Sequence, residues 1–111
     1  MKVRLAGITL QQDMRRWGSK RIVHSEKARQ YLAGLLLNKI VRIRAYGSDM
    51  ENRVVAELYL NGRNINLEMV RAGFAEVFSG GLYRELDLEP YRRAEQEARK
   101  AGRGMWALDG R

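Results

Sequence analysis

Between Ile40 and Ile65 the apolar residues recur with a period of two, and the run folds back at Asn61-Gly62. Val41, Ile43 and Ala45 fall on one side, with Arg42, Arg44 and Tyr46 on the other. That alternation reads as a half-buried strand. Gly47 to Asn52 is a polar turn, and Arg53 to Leu60 is a second strand. Asn61-Gly62 offers the two positions tolerant of positive φ that a tight hairpin needs, after which Arg63 to Ile65 returns briefly. No all-helical architecture accommodates such a unit.

The flanks mix both kinds of element. Val3, Leu5 and Ile8 read as a strand with Gly7 marking a bulge. Thr9 to His24 is polar and basic and reads as a long exposed loop. Ser25 is expected to cap a helix whose buried face is Ala28, Tyr31, Leu32, Leu35 and Leu36, with Asn38 as its left-handed stop. Asn66 is expected to cap a short helix, Leu67 to Ala72, that stops at Gly73. Phe74 to Phe78 is a short apolar strand, and Ser79-Gly80-Gly81 breaks it. A last helix runs from about Leu88 to Ala101, with Pro90 in its first turn and Gly102 at its end. Its stripe is Tyr91, Ala94, Ala98 and Ala101, and Glu89–Arg93 and Glu95–Arg99 are i,i+4 pairs. Trp106 is expected to fold back onto the domain, and Tyr31 to join the core. The predicted class is α+β, one domain over 1–111.

Charge narrows the partners. The 111 residues carry 21 Lys and Arg against 13 Asp and Glu, a net charge of +8. Polyanions gain from that balance, so nucleic acid is the expected partner, ahead of an anionic membrane surface. Arg15, Arg16, Trp17, Lys20 and Arg21 combine cations with an aromatic. A single strand suits that mixture, because bases stack while phosphates pair; a merely solvated charge run is the plainer alternative. There is no cysteine and one histidine, His24. Disulfide and thiolate chemistry are therefore excluded, and a histidine-based metal site is not expected. His24 reads as a helix-entry residue with no chemistry. No apolar run approaches the roughly 20 residues of a membrane span. Met1 to Gly7 has no apolar leader region, so the cytoplasm is the default compartment.

Three blocks in order carry a resemblance. They are Val3-Arg4-Leu5-Ala6-Gly7-Ile8; Asn52 to Tyr59 followed by Gly62 to Ala75; and Glu97 to Trp106, ending Gly104-Met105-Trp106. Together they resemble the staphylococcal-nuclease-like (thermonuclease) family over nearly the whole chain. The resemblance implies an OB-like five-stranded barrel with three helices. It also implies calcium-dependent phosphodiester cleavage of DNA and RNA, in which carboxylates hold the metal, a glutamate helps activate water and two arginines neutralise the phosphorus centre.

Carried over by position, the two arginines match Arg4 and Arg53. The metal-binding aspartate falls on Thr9 and the glutamate on Gln12. The remaining aspartate belongs on a strand before Val3. A hydroxyl and an amide cannot replace carboxylate charge, and an amide is no base near pH 7. Asp13 could approach the metal position if the loop shifted. Asp49 and Glu51 could be read as replacement ligands, but turn chemistry and pairing with basic residues explain them more simply. The expectation is therefore a barrel incomplete at its N-terminus that binds single-stranded DNA or RNA with little or no cleavage and holds no metal. An active calcium-dependent nuclease and a protein-interaction domain are the alternatives. An open sheet edge with a bare apolar face of Leu5, Val41 and Ile43 would recruit a second chain, so a symmetric homodimer is expected.

Overall fold

The computed structural model describes residues 2–9, 20–78 and 85–108. Strand β1 (Val3–Leu5) leads through a turn at Ala6-Gly7 to β2 (Ile8–Thr9). Helix α1 (Lys20–Leu36) follows, then β3 (Arg42–Ser48), β4 (Val54–Leu60), β5 (Arg63–Asn64), α2 (Ile65–Arg71), β6 (Glu76–Val77) and α3 (Glu89–Ala101). A 3-10 turn spans Gly104–Leu108. The class is α+β.

Strand β4 is the centre of the main sheet, and its sequence explains why. Val55, Ala56 and Leu58 are buried, as an inner strand requires. β1 lies parallel to β4 on one side, with Val3↔Val54, Arg4↔Val55 and Leu5↔Ala56 in register. β3 lies antiparallel on the other, and the tight turn at Asn61-Gly62 brings β5 back onto β4. Asn61 and Gly62 both have positive φ, at 51° and 79°. A separate ribbon pairs β2 with β6, Ile8↔Val77 and Thr9↔Glu76. Among the described residues the sheet does not close into the barrel that the resemblance implies; β1 and β3 are its outer strands.

The main core gathers Ile8, Ala28, Met69, Val70, Ala75, Leu88, Tyr91 and Ala94, with Leu5, Tyr31 and Phe74 packed around it. A second cluster joins Ala98, Met105 and Trp106. Trp106 is thus buried against α3, as expected. Each large apolar side chain buried this way is worth about 1.5–3 kcal/mol. No described helix is long and apolar enough to cross a membrane.

Several expectations are corrected. The stretch Lys20–His24 is helix, not loop, and Ser25 lies inside α1 rather than at its cap. Nothing from Lys20 to Ala33 breaks a helix, so the apolar face propagates it upstream. Asn38 does stop it, at φ 59°. The cap of α2 is Asn64, whose side chain accepts from the Leu67 N–H at 3.0 Å, not Asn66. Val3 to Ile8 is two short strands rather than one, because Gly7 turns at φ 77°. β3 is not half-buried: Arg42, Ile43, Arg44 and Ala45 are all exposed, since no described element covers either face of this outer strand. Ala101 of the α3 stripe is exposed as well.

Candidate nucleic-acid interface

The parallel register of β1 and β4 decides where the two arginines stand. Arg4 pairs with Val55, and Arg53 is two residues before Val55. Residues two apart on a strand share a face. Arg4 and Arg53 are therefore neighbours on one face of the sheet, drawn from segments nearly fifty residues apart in sequence. The pairing reaches this end of the sheet, because the Val54 N–H donates to the Lys2 carbonyl at 2.9 Å.

Each guanidinium is held by its surroundings. Arg4 lies over the Phe78 ring, 4.7 Å from its centroid. Phe78 is fixed in turn by its N–H, which donates to the Gly7 carbonyl at 2.9 Å. Arg53 donates from Nε to Asp49 Oδ2 at 2.7 Å, and its Nη2 lies 3.6 Å from Glu51 Oε2. Asp49 Oδ1 also accepts the N–H groups of Glu51 at 2.9 Å and Arg53 at 2.8 Å. The backbone bond from Arg53 holds the Asp49 carboxyl below its ordinary pKa, and the Arg53 side chain adds to that. Asp49 is thus a turn-forming residue that also sets the plane of Arg53, as turn chemistry suggested. Fixing a planar fork in advance reduces the rotamer freedom lost when a ligand binds.

Thr9 sits on β2 with Glu76 directly across the ribbon. Calcium takes six to eight oxygens with substantial carboxylate charge. Beside Thr9 the described residues offer a hydroxyl and the Glu76 carboxyl, and Asp49 is committed to Arg53. No group of three or more His, Cys, Asp or Glu that could hold a metal occurs among the described residues. These side chains do not make up a calcium site. Gln12 and Asp13 lie outside the described residues, as do Arg15, Arg16 and Trp17. Lys20 and Arg21 open the described span of α1.

Beneath the arginine face is a cluster that periodicity alone does not reveal. Glu57 is buried at 5% exposure. Its Oε1 accepts from the hydroxyls of Tyr46 at 2.6 Å and Tyr59 at 3.0 Å. Its Oε2 accepts from the Tyr91 hydroxyl and from Asn64 Nδ2 at 3.2 Å. Burial pushes the Glu57 pKa up, but the bonds from Tyr46, Tyr91, Tyr59 and Asn64 outweigh it and hold the carboxyl below its usual range. Burial and the bond to Glu57 push the hydroxyls of Tyr46 and Tyr91 well above theirs. Asn66, fully buried, donates to the carbonyls of Ala6 and Ala56 at 3.0 Å each and accepts from the Leu58 N–H at 3.2 Å. It ties α2 to both strands that carry the arginines. The sequence signal for Glu57 was available: one charged residue inside Val54 to Leu60, where burial demands partners.

An α+β domain with two supported arginines on one sheet face is the arrangement the thermonuclease resemblance predicts. The chain belongs to the family described as staphylococcal nuclease homologue, which matches residues 2–108. Among curated proteins it is similar to a probable endonuclease LCL3 of Leptosphaeria maculans, 32% identical over 96% of this chain and 38% of that protein. A probable endonuclease LCL3 of Paracoccidioides lutzii is 36% identical over 94% of the chain and 33% of its own length. An uncharacterized endonuclease of Haemophilus influenzae is 33% identical over 96% of the chain and 54% of its own length. The chain thus spans between a third and just over half of these relatives.

Proposed function

We propose that this chain is a nucleic-acid-binding member of its family, holding a phosphodiester backbone against Arg4 and Arg53 with little or no cleavage. The observation that carries the reading is the β1–β4 register, which sets two arginines side by side, each braced by Phe78 or Asp49. Cations arranged in advance on a surface bind phosphate with less loss of freedom. Single-stranded DNA or RNA is the expected ligand, and the charge of +8 supports its attraction at long range. Hydrolysis would need a base and a metal that Thr9, with Glu76 opposite, does not supply.

A second reading is an active calcium-dependent nuclease. The names of the relatives favour it, since those printed for them are endonucleases. One experiment separates the two. Labelled denatured DNA is titrated with the protein across a salt series, and the same DNA is incubated with calcium. If about four phosphates are neutralised, the log–log salt slope is near −3, and replacing both Arg4 and Arg53 by alanine brings it to about −1.5. A flat slope, or one unchanged in the double variant, rejects the binding face. Turnover that survives repurification and disappears in Arg53→Ala establishes the nuclease.

A further inference from the structure

Strand β3 ends its sheet among the described residues, and both of its faces are open. Ile43 is 43% exposed, and just upstream Ile40 and Leu37 are 95% and 70% exposed. An outer strand also turns half of its peptide N–H and C=O groups away from the sheet. Such an edge is a template for one more strand.

The side chains specify what kind. Ile43 pairs with Leu58 and Ala45 with Ala56, so that face is apolar across the sheet. Arg42 pairs with Tyr59 and Arg44 with Glu57, so the opposite face is polar and, at the edge, cationic. A strand laid outside β3 inherits this alternation. It meets apolar residues on one side and arginines on the other, where carboxylates are favoured and cations are not. The register shifts between Ala45 and Gly47, so regular pairing is limited to the stretch before that bulge.

We propose that the free edge of β3 takes up an extended peptide strand of alternating apolar and acidic residues. A second copy of this chain fits the edge poorly. Two-fold antiparallel pairing centred on Ile43 sets Arg42 against Arg44 twice, and pairing centred on Arg44 sets that residue against itself. Nucleic acid would satisfy the arginines and leave Ile40, Ile43 and the outward peptide groups without partners. The proposal does not depend on the nucleic-acid reading.

The probe is a labelled nine-residue peptide alternating valine and glutamate, with a valine–lysine peptide as its counterpart. Binding is followed by fluorescence anisotropy, and the site by amide hydrogen exchange. The glutamate peptide is expected to saturate, to slow exchange at the β3 amides and to bind about tenfold more tightly than the lysine peptide, as two reversed cross-strand charge pairs imply. The double variant Arg42→Glu with Arg44→Glu is expected to reverse that preference. No saturable binding overturns the proposal, and so does equal binding of the two peptides. Concentration-dependent β3 protection with a doubled mass assigns the edge to a second copy instead, and overturns it. Displacement of the peptide by single-stranded DNA, with DNA-dependent protection of β3, overturns it in favour of nucleic acid.

Discussion

A carboxylate in the middle of an apolar strand survives burial here because three tyrosine hydroxyls and one amide donate to it. Replacing Glu57 with glutamine keeps the shape but removes the charge and turns an acceptor into a donor facing hydroxyl groups. The expected loss is about 2–3 kcal/mol, a fall of about 10 °C in Tm by thermal unfolding. The same carboxyl contributes to the pH dependence. Its folded pKa lies below the ordinary value of 4.5, so its stabilisation is complete above that value and is lost as pH falls through the lowered one. Acid titration of Glu57→Gln should show a shallower loss of stability below pH 4.5 than the parent; Asp49 and Glu68, also lowered, keep part of the slope. Asn66→Ala leaves the Leu58 N–H and the Ala6 carbonyl buried without their partner, at about 2–3 kcal/mol, measured by urea unfolding. Little of this was legible in the sequence. Tyr46, Tyr59, Asn64 and Tyr91 come from separate stretches, and a period of two or of 3.6 reports only neighbours within one element. Arg4 and Arg53 were found through the family resemblance, since strand position alone would have left them as solvated charges.

Among the elements, type was legible and ends were less so. The hairpin at Asn61-Gly62, the stop at Asn38 and the α3 bounds at Pro90 and Gly102 follow from backbone preferences that act locally. The start of α1 did not follow, because Ser25 is a good cap that the longer helix overrides. The burial of β3 did not follow either, since alternation records a capacity to be half-buried and not the presence of a cover. A contrast between two glycines tests how far local conformation explains an element's end. Both Gly62 and Gly73 have positive φ, 79° and 82°. A Cβ at Gly62 meets nothing within 4 Å, whereas one at Gly73 falls 2.2 Å from the Arg103 carbonyl oxygen. Gly62→Ala is expected to cost about 1 kcal/mol from the left-handed backbone alone. Gly73→Ala has to displace the backbone as well and should cost about 3 kcal/mol or more, or prevent cooperative folding. Equal losses in chemical denaturation would show that the close approach at Gly73 relaxes freely.

The molecule as a whole is a mixed sheet whose arginine face depends on contacts made far along the chain. The fold class was legible from the order of elements, and the family from three separated blocks. Barrel closure was not, because closure depends on strands meeting at both edges and not on any local pattern. Gly73 and Gly104 touch backbone to backbone, and the Met105 N–H donates to the Gly73 carbonyl at 3.0 Å. Trp106 then fills the space beside Ala98, with Arg99 over its ring at 4.4 Å. A chain truncated after Gly102 is expected to lose its cooperative thermal transition; a truncated protein that melts like the parent would show this junction to be dispensable. The junction also bears on timing during synthesis. Translation adds about 5–20 residues each second, and domains settle as units. The partners of Gly73 emerge last among the described residues, so β1, β4 and α2 have to wait for Met105 and Trp106. Until the ribosome releases that final stretch, the nascent chain carries its arginine face on an unfinished scaffold and is open to chaperones for most of its synthesis.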